Sequence, residues 1–269
     1  MKRLPLSLML CLTTLLYMQQ AEATVLTIGP IADVFVTEGS DSSDGSPDFN
    51  YGSAGALQVS APGSSQGEMQ TLMEFDFSAV KTSFDTSFGV GQWTITNVKL
   101  QLSTNFGTQG IQPNNPIFNA INAGLFKINW QANDNWGEGN GTPMSPDVPS
   151  NAPIDAVTYN SIAALESAAD RNLGTFAWNA AGNNAVSYTL GLDPSFLADA
   201  EEGNDVSFRF YAGDSGVSYL FNSRDFVSLG SRPVLSITAV QAPEPGVCTL
   251  LVPLALLFTN RRWQRERAK

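Results

Sequence analysis

Apolar and polar residues alternate in short runs along most of the chain. Met73, Phe75 and Phe77 are separated by Glu74 and Asp76. Because neighbouring side chains of a β-strand point to opposite faces, this alternation predicts a strand with one face in a core and the other in water. The same pattern recurs at residues 98–102, 186–190, 206–210 and 235–239. The alternation therefore predicts a protein built mainly of short β-strands.

Turn-forming residues separate these runs, and helical patterns are few. Residues 160–169 are rich in Ala without a helix breaker, and Asp193 followed by Pro194 has the N-cap chemistry of a short helix. Everything else predicts strand or loop, with no internal repeat. We expect an all-β fold, a single antiparallel β-sandwich of the jelly-roll type with one or two short helices. Gly, Asn, Asp, Ser and Pro cluster in the loops at residues 39–55, 107–116 and 137–153.

The composition is typical of an extracellular β-protein and excludes several chemistries. The 269 residues are 43% hydrophobic but only 14% charged, below the usual proportion of about a quarter. There is no His, and both cysteines, Cys11 and Cys248, lie outside residues 24–242. That segment therefore has no disulfide, thiolate nucleophile, His-ligated metal or Ser-His-Asp triad.

Charge is segregated along the chain, whose net charge is −11. Residues 24–242 contain 7 basic and 22 acidic residues, a net charge of −15, whereas both ends are net positive. Because phosphate binding needs clustered Lys and Arg, we expect no nucleic-acid partner. An acidic body either keeps a protein soluble or attracts divalent cations.

The first 23 residues have the pattern of an export signal. Lys2 and Arg3 precede a mostly apolar run at residues 4–17, and Ala21 and Ala23 give the small-x-small pattern that signal peptidase accepts. The alternative is an uncleaved anchor, but the run is shorter than the roughly 20 residues that span a bilayer. We expect cleavage after Ala23 and a folded domain at residues 24–242.

The last 27 residues, 243–269, contain three ordered features. Pro243, Glu244 and Pro245 come first, followed by an apolar run at residues 247–258. At about a dozen residues this run is short for a stable transmembrane helix, and the basic end would stay on the cytoplasmic side. We expect an apolar helix that enters the membrane transiently, an ordinary tail anchor being the alternative. The basic end carries Arg261, Arg262, Arg265, Arg267 and Lys269.

These three features in this order resemble the PEP-CTERM sorting signal of bacterial surface proteins. The resemblance implies recognition by an exosortase, a membrane transpeptidase-like enzyme, and removal of the tail near the Pro-Glu-Pro motif. Signal peptidase and an exosortase are then the expected partners. The mature protein would lie at the cell surface or in the extracellular matrix after export across the inner membrane.

The order of motifs in residues 24–240 resembles the DNRLRE-type domain, a β-sandwich grouped with carbohydrate-binding modules. The resemblance implies a non-catalytic module of secreted polysaccharide-active or adhesive proteins, with exopolysaccharide as a partner. The six-letter motif that names the family does not occur as such; residues 170–173 only echo it. The resemblance is carried by residues 32–36, 50–52, 57–59, 72–77 and 95–102, by Trp136 and Glu138, and by residues 221–225 and 232–235.

One candidate site is an acidic loop that suits calcium. Asp33, Asp41, Asp44 and Asp48 fall close together in the sequence. Ca²⁺ takes about six to eight oxygen ligands, which such a loop can supply, so a structural Ca²⁺ is the candidate cofactor. The alternative is a solvated loop whose carboxylates lie apart.

A second candidate site is aromatic. Trp136 with Glu138, together with Trp130 and Tyr51, lies beside polar loops. Sugar binding uses exposed ring faces together with amide and carboxylate hydrogen bonds, so these residues are candidates for glycan binding. The alternative is that the rings pack in the core or under loops.

Paired carboxylates leave an enzymatic alternative open. Glu74 and Asp76 share one face of a predicted strand, about 7 Å apart, and glycosidases need two carboxyl groups. Chance pairs are common in so acidic a chain, so we expect no enzyme. A carboxylate-dependent lyase or hydrolase and a purely structural surface protein are the alternatives. We expect Arg224 to have a structural role, pairing with a carboxylate inside the sandwich and fixing the last strand.

Overall fold

The computed structural model describes residues 22–39, 47–64, 67–103, 124–177 and 185–242. Most of the regular structure consists of β-strands in antiparallel sheets, which confirms the all-β class. The strands are β1 Ala23–Ile28, β2 Ala32–Thr37, β3 Ala56–Ser60, β4 Met69–Asp76, β5 Trp93–Ser103, β6 Leu125–Gln131, β7 Arg171–Ala177, β8 Ala185–Thr189, β9 Asp205–Ala212, β10 Ser218–Asn222 and β11 Val234–Gln241.

The strands form two antiparallel sheets. The smaller sheet has the order β1-β11-β5-β8, which places the first and last strands of the described chain side by side. In its register Ala23 lies opposite Val240 and Ile28 opposite Leu235. The larger sheet has the order β10-β3-β4-β9-β6-β7, and β2 also pairs with β4.

The two sheets contribute to one hydrophobic cluster. Phe75 and Phe208 come from the larger sheet, and Leu100, Tyr188 and Ile237 from the smaller one. These residues belong to runs whose alternation predicted strands, and the apolar member of each pair faces the core as expected. Burial of these side chains is the main stabilising contribution to such a fold.

The helix α1, Ser78–Phe88, was not predicted from the sequence. Ser and Thr fill its exposed face, and these residues have low intrinsic helix propensity. Thr82 and Thr86 instead donate their hydroxyl groups to carbonyl oxygens four residues earlier. Val80 and Phe84, spaced four residues apart, are buried and hold the helix against the core. The expectation of one or two helices was therefore too low.

The other two helices were predicted, with different bounds in one case. Helix α2, Tyr159–Ile162, continues only as the 3₁₀ turn Ala163–Leu165, so the predicted helix at residues 160–169 ends early, where Glu166 becomes extended. Helix α3, Pro194–Glu202, begins at the predicted Asp193 N-cap and ends at Gly203, whose φ is 80°. A second 3₁₀ turn spans Leu229–Ser231.

Segment 132–166, which we call the covering segment, packs on the outer face of the larger sheet. Trp136 and Val157 from this segment contact Val34, Val36 and Leu72 in a second hydrophobic cluster. The outer face of strands β2 and β4 is thereby taken out of water. The covering segment brings Glu138 to the beginning of β2, where the candidate site lies.

The leader and the tail fall almost entirely outside the described residues. Residues 1–21 and 243–269, including Ala21, the Pro-Glu-Pro motif and the basic end, are not described, and neither are Asp41 and Asp44. Within the part of the chain that is described, no helix is both long enough and apolar enough to cross a membrane.

Candidate functional site

Three residues that the sequence assigned to different roles meet in one cluster. Arg224, in the turn after β10, donates from Nε and Nη2 to the two carboxylate oxygens of Glu138, each at 2.6 Å. The backbone N–H of Asp33 donates to Glu138 Oε1 at 2.8 Å, and the N–H of Arg224 donates to Asp33 Oδ2 at 2.7 Å. We call this the Asp33–Glu138–Arg224 cluster. It joins β2, the covering segment and the turn after β10.

The electrostatics of this cluster are dominated by burial. Asp33 is fully buried, and its Oδ1 has no hydrogen-bond partner among the described residues. Burial raises the pKa of Asp33 well above its ordinary value, although the hydrogen bond from Arg224 opposes this. The hydrogen bond to Glu138 raises the pKa of Arg224, so its guanidinium stays charged. Arg224 thus has a carboxylate partner as expected, but this partner is Glu138 on the covering segment rather than a residue inside the sandwich, and these bonds reach β2 rather than the last strand.

The turn at residues 50–52 also holds the covering segment in place. Asn50 is fully buried; its Nδ2 donates to the carbonyl of Val157 at 2.8 Å, and its Oδ1 accepts from Gly52 N–H at 3.0 Å. A Cβ at Gly52 would overlap the carbonyl oxygen of Glu138, so only glycine fits there. The Asn-Tyr-Gly motif at residues 50–52 therefore has a structural role: it packs against the covering segment and is hydrogen-bonded to it.

The three aromatic candidates for glycan binding are buried. Trp136 is 8% exposed, and its indole N–H donates to Ser207 Oγ at 2.9 Å. Trp130 is 7% exposed and donates to Asp199 Oδ2 at 3.0 Å. Tyr51 is 1% exposed and stacks on Phe35 with ring centroids 4.5 Å apart. The structure gives these rings packing roles, with no open face on which a sugar ring could stack.

The two carboxylates considered for catalysis lie in different environments. Asp76 is partly exposed, and hydrogen bonds from Ser78 at the start of α1 lower its pKa. Glu74 is half-buried, and burial, reinforced by Asp205 and Asp134, raises its pKa to about 7. Burial also raises the pKa of Asp134 to about 6. Glu74 and Asp134 therefore hold their protons more tightly than free carboxyl groups, whereas Asp76 holds its proton less tightly.

The raised pKa of Glu74 predicts that the free energy of unfolding falls as the pH rises. The folded protein binds the Glu74 proton more tightly than the unfolded chain, so stability decreases between about pH 4.5 and pH 7. Glu74→Gln removes the buried charge and should raise the free energy of unfolding at pH 8 by about 1–2 kcal/mol. Urea titrations at pH 8 and pH 5 measure this; an equal effect at both pH values would contradict it.

The calcium candidates are not brought together by the described residues. Asp33 is buried in the cluster, whereas Asp48 is exposed and accepts a hydrogen bond from Asn160 Nδ2 at 2.7 Å. Across the described ranges, no group of three or more acidic, His or Cys side chains is placed to hold a metal. Asp41 and Asp44 lie outside these ranges, so calcium binding by their loop stays a prediction.

A polar network under the covering segment was missed from the sequence. Arg209, 8% exposed, donates to Gln70 Oε1 at 2.7 Å and to Glu166 Oε1 at 2.6 Å. It fixes the end of the covering segment to strands β4 and β9. Arg209 is an outward-facing position of an alternating strand, which predicted that it would be exposed. Its burial could have been inferred from the apolar residues Val34 and Leu72, which also face outward and must be covered.

Comparison with known protein families and with curated proteins finds no match to this chain.

Proposed function

We propose that this chain is an exported, non-catalytic protein of the bacterial cell surface or extracellular matrix. In this proposal signal peptidase removes the leader, and an exosortase recognises the Pro-Glu-Pro motif and removes the tail. The sequence pattern of the two ends supports the proposal, and so does the way the folded part is bounded.

The observation that carries the proposal is the pairing of β1 with β11. Ala23, after which cleavage is expected, lies opposite Val240 in the smaller sheet. Strand β11 ends at Gln241, and the N–H of Ala242 still donates to the carbonyl of Gln92 at 2.8 Å. The first and last described strands therefore begin and end within a residue or two of both expected processing points, and cleavage at either point would leave the pairing of β1 with β11 in place.

We further propose a jelly-roll-type β-sandwich like that of the DNRLRE-type domain, with polysaccharide as the ligand. The shared core of the two sheets supports the sandwich. In this proposal Trp136 and Glu138 hold the covering segment on the sheet, the indole by its bond to Ser207 and the carboxylate by its bonds to Arg224. A purely structural surface protein is the version of this proposal without a glycan ligand.

One observation favours a different class, a carboxylate-dependent polysaccharide lyase or hydrolase. The raised pKa of Glu74, about 7, suits a general acid or base at neutral pH. However, its neighbour Asp76 accepts a hydrogen bond from the Ser78 N–H and has a lowered pKa, and raised pKa values also arise from burial alone. Turnover of the producer's exopolysaccharide that is lost in the Glu74→Gln variant would favour this alternative.

Replacing Pro243, Glu244 and Pro245 by three alanines tests the sorting route in the producing cells. We expect the unaltered protein at the surface or in the medium, and the variant retained in the membrane fraction with its tail. Asp225→Asn, an exposed change in the folded part, is the control and should sort normally. Equal distribution of variant and unaltered protein would sink the exosortase proposal.

A further inference from the structure

A polar shelf stands on the outer face of strands β6, β7 and β9. Its members are Lys127 and Asn129 from β6, Asn172 from β7 and Tyr211 from β9. Asn172 is exposed, and the other three are partly exposed. In contrast to Trp136 and Tyr51, these residues are open to solvent in the folded protein.

The strand register brings these side chains together. Lys127 lies directly opposite Tyr211 on β9, and Asn129 lies opposite Asn172 on β7. Residues two apart on a strand share a face about 7 Å apart. The four side chains therefore occupy one small area on three hydrogen-bonded strands, a rigid support for a binding site.

Internal hydrogen bonds orient the two amides. Asn129 Oδ1 accepts from Tyr211 Oη at 3.2 Å and from Asn172 Nδ2 at 3.0 Å. With its oxygen held by two donors, the Nδ2 of Asn129 is left without a partner among the described residues, as is the Oδ1 of Asn172. An amide donor beside an amide acceptor matches the neighbouring hydroxyl groups of a sugar ring, which both donate and accept.

The charge around the shelf decides which sugars fit. Arg209 is paired with Glu166 at 2.6 Å, and Arg171 faces Asp193 at 3.9 Å. Lys127 Nζ lies 5.7 Å from the centroid of the Tyr211 ring. Because each of the two arginines faces a carboxylate, Lys127 leaves the shelf with about one positive charge. The surrounding segment 24–242 has a net charge of −15, which repels a polyanion. An uncharged, hydroxyl-rich chain avoids that repulsion.

We propose that this shelf binds an uncharged polysaccharide through Asn129, Asn172 and Lys127. This rests on the proposed function, because an exported protein meets the polysaccharides of the cell surface and matrix. Asn129 Nδ2 and Lys127 Nζ donate to sugar hydroxyls, and Asn172 Oδ1 accepts from one. Tyr211 is a positioning residue that holds the Asn129 amide.

The test uses the exported protein purified from producing cells. Affinity electrophoresis through gels containing a soluble β-glucan, mannan or galactan is compared with gels containing polygalacturonate. We expect retardation by at least one neutral polymer, with little dependence on salt. Retardation by polygalacturonate alone, or by none of the neutral polymers, overturns the proposal.

Asn129→Asp is the decisive variant. The carboxylate of the variant still accepts hydrogen bonds from Tyr211 and Asn172. It lacks the two N–H groups of the Asn129 amide that would donate to the ligand, so we expect affinity to fall at least tenfold without loss of folding. Asn97→Asp, on β5 of the smaller sheet, makes the same chemical change elsewhere and should leave affinity unaltered. An unchanged affinity in Asn129→Asp assigns binding elsewhere; surface delivery in that case still upholds export, so the two failures are distinguishable.

Discussion

Replacing Trp136 with alanine is expected to lower the free energy of unfolding by about 3–5 kcal/mol. The ring is 8% exposed and packs against Leu72 and Val34 on the outer face of the larger sheet. Its removal leaves a cavity under the covering segment and leaves Ser207 Oγ without the indole hydrogen bond. Urea unfolding followed by circular dichroism measures the loss. The effect is large because packing and hydrogen bonding are lost together.

Two further variants separate this packing role from a role in sugar binding. Trp136→Phe keeps most of the volume and should cost less than Trp136→Ala. Met144→Ala, at a side chain that is 80% exposed, should change stability by less than about 0.5 kcal/mol. If Trp136→Ala instead left stability intact while abolishing glycan binding, the ring would be a stacking platform and the packing account would be wrong.

The Glu138→Gln variant should destabilise the protein by about 2–3 kcal/mol. Arg224 loses its bidentate carboxylate while its side chain remains only 34% exposed, which leaves a partly buried cation without its hydrogen-bonded counter-charge. The partial exposure keeps the cost below that of a fully buried pair. Thermal and urea unfolding at neutral pH, at low and high salt, report the change.

Glu166→Gln supplies the matched control for that prediction. Glu166 also accepts from an arginine, Arg209, at 2.6 Å, but its side chain is 55% exposed. Water screens the Glu166 carboxylate, and the buried Arg209, whose side chain is 10% exposed, keeps its hydrogen bond to Gln70 in the variant, so we expect a loss of less than about 1 kcal/mol. The two substitutions should therefore differ clearly, and equal losses would show that the Asp33–Glu138–Arg224 cluster has no special place in the fold.

Most of the strands could be predicted because their alternation is strong. Met73, Phe75 and Phe77 face the core as their spacing indicates. Helix α1 was missed because Ser and Thr dominate its exposed face, where propensity arguments are weak. Its signal was the spacing of Val80, Phe84 and Phe88, which is helical. Tertiary packing of those three side chains stabilises a segment that local propensity does not.

The site was predictable residue by residue but not as an assembly. Asp33, Glu138 and Arg224 were each singled out, yet for calcium, glycan and structural roles. Their contacts join positions separated by 105, 86 and 191 residues. Spacing in the sequence carries no information about such contacts. The burial of Trp136 was equally hidden, because it depends on the covering segment folding back over the sheet.

The most direct test of the central claim is the intact mass, with the N-terminal sequence, of the protein recovered from the surface of producing cells. The account predicts a chain that begins at Thr24 and ends near Pro243, Glu244 and Pro245. Its folded part then retains both β1 and β11. A chain that still contains the leader, or that carries residues 246–269 at the cell surface, would contradict the account.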